Sequence, residues 1–154
     1  MMVATQPVLL LVEDDPADAR LLQRALGKIE MGARVVHLPD GDAAVDYLAG
    51  TGKYADRNEY PLPWLILLDI KMPRRSGLEV LKWIRHQNGD VSATPVVMFS
   101  SSSHGVDINT AYHYGANSYL VKPETTFQLE SMLNLVKSYW FVANQLPHVR
   151  GAVR

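Results

Sequence analysis

Apolar residues fall in short unbroken runs, separated by stretches where they recur every three or four positions. Residues 8–12, 64–68, 96–99 and 118–121 are strand-length apolar runs bounded by turn or polar residues, and 34–38 is a weaker fifth. Between them, Leu21, Leu22, Ala25, Leu26 and Ile29 keep a helical period after Asp15 and Pro16. Ala44, Tyr47 and Leu48 repeat it, as do Leu78, Leu81 and Ile84. Near-continuous apolar strands alternating with amphipathic helices predict an α/β fold with a parallel sheet covered on both faces. The pattern places β1 at 8–12, α1 at 16–29, β2 at 34–38, α2 at 40–49 and β3 at 64–69. It continues with α3 at 76–88, β4 at 95–99, α4 at 105–114, β5 at 118–121 and α5 at 125–146. Residues 50–63, with Gly, Asp, Asn and two Pro, read as a long loop between α2 and β3. No internal repeat interrupts the alternation.

Four of the five strands finish on a polar or ionisable residue. Glu13, Asp14 and Asp15 follow β1, Asp69 ends β3, Ser100 ends β4 and Lys122 ends β5. In an open parallel sheet these ends share one edge, and ligands bind in the crevice outside it. Two carboxylates about 4 Å apart repel by roughly 4 kcal/mol at an effective dielectric near 20. Such a cluster needs either raised pKa values or a cation. An all-oxygen donor set suits Mg²⁺, which takes one or two carboxylates plus water and phosphate oxygens. A carboxylate beside it can act as nucleophile in phosphoryl transfer. Ser100 and Lys122 then offer a hydroxyl and an ammonium to phosphoryl oxygens.

The remaining composition narrows the class. At 154 residues the chain is expected to be one domain, with a core over 8–146. Fifteen basic against sixteen acidic residues leave a net charge of −1, which argues against a nucleic-acid or anionic-membrane surface. The absence of Cys excludes disulfides, thiolate zinc sites and cysteine nucleophiles. The longest apolar run is too short to span a bilayer, and 8–12 lacks the basic flank of a secretory signal. A cytoplasmic location is expected. Residues 147–154 are too few for an output domain, so another molecule is expected to read this one.

Taken in order, Val12-Glu13-Asp14-Asp15-Pro16, Leu68-Asp69-Ile70-Lys71-Met72-Pro73 with Gly77, Pro95 with Ser100, and Tyr119-Leu120-Val121-Lys122-Pro123 resemble a response-regulator receiver domain. Within that family, the long α2–β3 loop and the Tyr139-Trp140 to Leu146-Pro147 tail are similar to single-domain regulators serving bacterial phytochromes. The resemblance implies a flavodoxin-like, doubly wound (βα)5 fold with strand order 2-1-3-4-5. It implies a phosphoryl group taken from a sensor histidine kinase. Asp69 would be the phosphoacceptor and Asp14 the direct Mg²⁺ ligand. Glu13 would act on the metal through water, with the Lys71 carbonyl as the remaining protein ligand. Ser100 and Tyr119 would form the switch pair and Lys122 the family's lysine, followed by a cis bond to Pro123. Lys71 departs from the neutral side chain of many relatives; with Ser102 it occupies a position that tunes dephosphorylation.

Plainer readings compete at several positions. An isolated acidic triplet is usually a helix cap, and Asp15 before Pro16 is the natural cap of the three. A cap does not call for a matching acid at Asp69. Tyr119 reads equally as a switch aromatic or a core filler. His37, His86, His104, His113 and His148 show no ligand spacing, and Arg74-Arg75 reads as a solvated basic loop. An aspartate-nucleophile phosphatase would want a general acid where Lys71 stands, so an enzyme is not expected. A nucleotide-binding module lacks its glycine-rich loop. A degenerate, phosphorylation-independent binding module is the remaining alternative, and the filled acid, hydroxyl and amine positions count against it. Finally, α5 carries two apolar stripes. Leu129, Leu133, Val136, Trp140 and Ala143 fall within roughly 80° of arc at about 100° per residue. Met132, Leu135, Tyr139, Val142 and Leu146 lie beside them, and the combined arc of roughly 180° exceeds the ~100° a helix buries on its own core. A homodimer through the second stripe is expected, unless the loop at 50–63 or the tail covers it.

Overall fold

Strand β1 (Val8–Val12) buries all five of its side chains, and their alternation sorts the core into two layers. The computed structural model describes residues 6–147. On one face Val8, Leu10 and Val12 join Ile66, Leu68, Val96 and Met98 beneath Ala44, Tyr47, Val80, Ile84 and Ala111. On the other, Leu9, Leu11, Leu65, Leu67, Val97 and Phe99 meet Leu22, Leu26, Leu133 and Val136. Helices α2 (Gly41–Ala49), α3 (Gly77–Arg85) and α4 (Gly105–His113) thus cover the first face, and α1 (Pro16–Lys28) and α5 (Thr126–Val136) the second. A strand buried on both faces has no polar side to alternate with, which is why these runs read as continuous.

The strands are parallel in the order β2-β1-β3-β4-β5, as the motif resemblance implied. Their bounds are Arg34–Leu38 for β2, Leu65–Leu68 for β3, Val96–Ser100 for β4 and Ser118–Val121 for β5. The two edge strands are only partly buried, which explains the weak apolar signal at 34–38. Register pairs Val12 with both Leu38 and Leu68, so β1, β2 and β3 end level; Leu68 pairs with Met98, and β4 runs two residues further to Ser100, opposite Val121 at the end of β5. Asp15, Asp40, Ser76 and Thr125 cap four of the five α-helices through their side chains. None of the described helices is long and apolar enough to cross a membrane.

Three expectations are corrected. Helix α5 does not run regularly to 146. It changes at Lys137 to a π-helix that ends at Ala143, leaving Leu146 outside the helix. Each π-helical residue advances less around the axis, so the core-facing position slips along the chain. Ala143 becomes exposed, and Phe141, outside both predicted stripes, packs on the core and stacks on Trp64 at 6.1 Å between centroids. Second, no described peptide bond is cis, so Lys122–Pro123 is trans, the isomer an X–Pro bond favours by about 0.5–1 kcal/mol. Third, Arg74 and Arg75 are not simply solvated. They pair with Asp40 and Asp42 at 2.9–3.5 Å, tying the β3–α3 loop to the start of α2.

The long α2–β3 loop is ordered by aromatic packing. Tyr47, Tyr54 and Tyr60 form a triangle with centroid separations of 5.1, 5.9 and 5.1 Å. Arg57 donates to the carbonyls of Tyr47, Leu48 and Tyr60, satisfying the end of α2. This loop belongs to the face of the sheet opposite α5, so it does not cover the second stripe.

Candidate functional site

The β-ladder continues one residue past the strands, and that extension carries the polar residues. Glu13 N–H donates to the Leu38 carbonyl (3.1 Å), Asp69 N–H to Val12 (3.1 Å) and Lys122 N–H to Ser100 (2.8 Å). Backbone pairing therefore fixes Glu13 and Asp69 side by side on β1 and β3, and sets Lys122 on the far side of β4, from where its long side chain reaches back along the sheet's carboxyl edge. Asp14 follows directly, and its carboxylate, with those of Glu13 and Asp69, places oxygen atoms within 4.8 Å of one another.

Lys122 is the cation that the acid cluster demands. Its ammonium donates to Glu13 Oε1, to Asp69 Oδ2 at 3.2 Å and to Asp18 Oδ2 at 3.2 Å. Asp69 Oδ1 accepts from the Ile70 N–H at 2.8 Å. Burial raises the Glu13 carboxyl, the Lys122 hydrogen bond pulls it back, and Asp69 raises it further; the result is about 7. Burial works against the Lys122 ammonium, but the hydrogen bond to Glu13 and the charges of Asp69 and Glu13 outweigh it, so its pKa is raised. The Lys122 ammonium thus offsets part of the carboxylate repulsion within the cluster.

The other expected residues spread outward from this centre. Ser100 is fully buried, and its Oγ accepts from the Ser102 N–H at 3.2 Å. Ser102 turns away, donating its hydroxyl to Asp107 Oδ2 at 2.5 Å and pinning the start of α4. Tyr119 is partly buried against the core and donates its hydroxyl to the Ser102 carbonyl at 2.7 Å. Core filler and contact to the Ser100–Ser102 turn are thus one side chain doing both. The Lys71 side chain is exposed. His37, which shows no ligand spacing in the sequence, lies with Nε2 2.8 Å from the Glu13 carbonyl. His148 lies outside the described residues.

Two residues were missed. Asp18 has a faint signal, since it follows Asp15 by three in the first turn of α1. Gly77 stands in the sequence only as part of the motif that follows Asp69. Its N–H donates to the Ile70 carbonyl at 2.8 Å, and a Cβ there would stand 1.8 Å from the Asp69 carbonyl oxygen.

The carboxylates of Glu13, Asp14 and Asp69 are hard oxygen donors grouped closely enough that they could hold a metal ion. Residues 9–134 match the family model of the response regulator receiver domain. The chain is 37% identical over 140 residues to the response regulator Rcp1 of Synechocystis sp., covering 91% of this chain and 92% of that protein. Among solved structures, the phosphorylated cyanobacterial phytochrome response regulator RcpA superimposes with a TM-score of 0.85 at 34% identity, over 94% of this chain and all of that one. The Mn²⁺-bound form of Rcp1 gives a TM-score of 0.80 at 37% identity, over 92% of this chain and 99% of that one.

Proposed function

Because the chain belongs to the response-regulator receiver family, we propose that it takes a phosphoryl group from a sensor histidine kinase onto Asp69 and signals through contacts with other proteins. The names of the phytochrome regulators it resembles support a phytochrome as that kinase. Receivers of two-component systems are signalling proteins rather than classical enzymes, and the chemistry here is acceptance of a group. The observation that carries the reading is the placement of Asp69 beside Lys122, with Glu13 and Asp14 within metal-sharing distance.

The Asp69 carboxylate attacks phosphorus, an O–P bond forms, the P–N bond to the kinase histidine breaks, and the imidazole leaves. Asp14, Asp69, the Lys71 carbonyl and, through water, Glu13 would hold Mg²⁺, which neutralises phosphoryl charge when bound. Lys122 is pre-aimed at Asp69 Oδ2 and supplies a second positive charge. Ser100 moves its hydroxyl to a phosphoryl oxygen. That movement disturbs the turn on which Tyr119 is anchored, biasing a two-state element by local charge. Lys71, at the pocket rim, and Ser102, through that turn, set the lifetime of the acyl phosphate.

The same reading includes a homodimer through α5 and the π-helix. Leu135, Tyr139 and Val142 are 71, 55 and 72% exposed. Leu135 also lines a groove of about 480 Å³ together with Leu120, Phe127, Met132, Val136 and Trp140. Exposed contiguous apolar surface of this kind marks an interface. Met132 and Leu146 are partly buried and contribute less than the other three.

Mass spectrometry after incubation with acetyl phosphate and Mg²⁺ tests the acceptor. One added phosphoryl group is expected on the wild type and none on Asp69→Asn. Labelling that persists in that variant, or without divalent metal, sinks the assignment.

A further inference from the structure

Asp18 belongs to none of the motifs that carry the receiver reading, yet it is one of three carboxylates on the Lys122 ammonium. An ammonium has three N–H donors. All three are thus spent on Glu13, Asp69 and Asp18, which lie 109, 53 and 104 residues away in the chain. The three partners are not equivalent. Glu13 and Asp69 are buried, whereas the Asp18 side chain is 44% exposed. Glu13, the closest contact, draws the ammonium inward; Asp18 holds it from the rim.

The usual work of an acid at this helical position is already done by others. Asp15 caps α1 by accepting from the N–H groups of Ala17 and Asp18, at 2.8 and 3.3 Å. An acid three residues past a cap ordinarily reaches back to the cap's own N–H. Here the Asp15 N–H goes instead to Glu13 Oε2 at 3.3 Å. The carboxylate of Asp18 is therefore free to cross from α1 to the residue after β5.

We infer that Asp18 is a positioning residue for Lys122, holding the ammonium at the rim so that it meets the incoming phosphoryl group instead of sinking onto Glu13. This inference rests on the receiver reading above. Phosphoryl transfer lengthens the Asp69 side chain outward, and Lys122 must follow it. When Glu13 turns to a bound cation, Asp18 is the carboxylate that still fixes the amine. The salt bridge also joins α1 to the β5–α5 loop.

A double-mutant cycle on the full chain tests this. At saturating Mg²⁺, Asp18→Asn should slow labelling by acetyl phosphate about tenfold, in keeping with the cost of a misplaced group, and Asp18→Glu should recover most of the rate. In a Lys122→Met background, Asp18→Asn should slow the residual rate no further, because its effect runs through that amine. Thermal melting of the metal-free proteins gives a second cycle, in which any shift from Asp18→Asn disappears once Lys122 is Met. Wild-type labelling rates in Asp18→Asn, or equal slowing with and without Lys122, overturn the inference. A wild type that takes no phosphoryl group overturns the receiver reading instead, and the metal-free cycle then judges the Asp18–Lys122 pairing alone: additive shifts refute it.

Discussion

Replacing Gly77 with alanine should loosen the fold and disarm Asp69 together. A Cβ at this position would lie 1.8 Å from the Asp69 carbonyl oxygen, 2.8 Å from its carbonyl carbon and 3.0 Å from Ile70 Cα. An ordinary C···O contact is about 3.3 Å, so strand end and helix start must separate by roughly 1.5 Å. The atoms involved are backbone, and no side-chain rotation relieves them. The Gly77 N–H to Ile70 carbonyl bond, now 2.8 Å, would break with that movement. Overpacking costs about 1–3 kcal/mol and a lost hydrogen bond about 1, against a helix-propensity gain below about 1 kcal/mol. A net loss of about 2–3 kcal/mol corresponds to a melting point lower by roughly 5–10 °C in a domain of this size. Asp69 itself moves, and displacement of a reacting group by about 1 Å can cost on the order of 100-fold in rate. Thermal melting and acetyl phosphate labelling of Gly77→Ala measure the two effects. A melting point within about 2 °C of wild type, with unchanged labelling, would refute the reasoning.

Stability in metal-free buffer should depend on Glu13. Its carboxyl is raised from 4.5 to about 7, so between those values the folded protein holds a proton that the unfolded chain has released, and stability falls as pH rises. The shift amounts to about 3 kcal/mol, and the stability difference between wild type and Glu13→Gln should change by that much from pH 5 to 8; a flat difference contradicts it. The raised Lys122 works at higher pH, stabilising below its unfolded value of 10.5 and losing that contribution above its folded value. Sedimentation tests the interface: the wild type should be dimeric and a Leu135→Glu/Tyr139→Glu variant monomeric. A monomeric wild type, or a variant that still dimerises, defeats the dimer.

Strand positions were legible because burial on both faces removes every polar interruption, as in Val8–Val12. The site was legible for a related reason: Glu13, Asp69, Ser100 and Lys122 stand at the abrupt ends of those runs. Asp15 announced itself as a cap by standing before Pro16, and it is one. What escaped was whatever depends on distance in the chain or on a broken period. Asp18 meets Lys122 across 104 residues, and its spacing from Asp15 points to a helix cap rather than to that partner. Phe141 reached the core because the helix changes its winding at Lys137, which a fixed 100° step cannot register. Arg74 and Arg75 look like a solvated pair until the fold brings Asp40 and Asp42 opposite them.

The meeting of the first, third and last strands at one edge would make the reactivity of Asp69 a report on folding. Its ammonium partner arrives from the last strand, and Glu13 meets that same ammonium from the first, across 109 residues. Contacts of such sequence separation form late and slowly, because the entropy of closing long loops must be met before they reward the chain. A nascent or half-folded molecule therefore carries Asp69 as an ordinary aspartate, without its neighbouring cation. On the proposed function, only a completed sheet would be competent to receive a phosphoryl group. Acetyl phosphate labelling during refolding should consequently lag the recovery of helical signal and coincide with docking of β5, so that signalling is withheld from immature chains by topology alone.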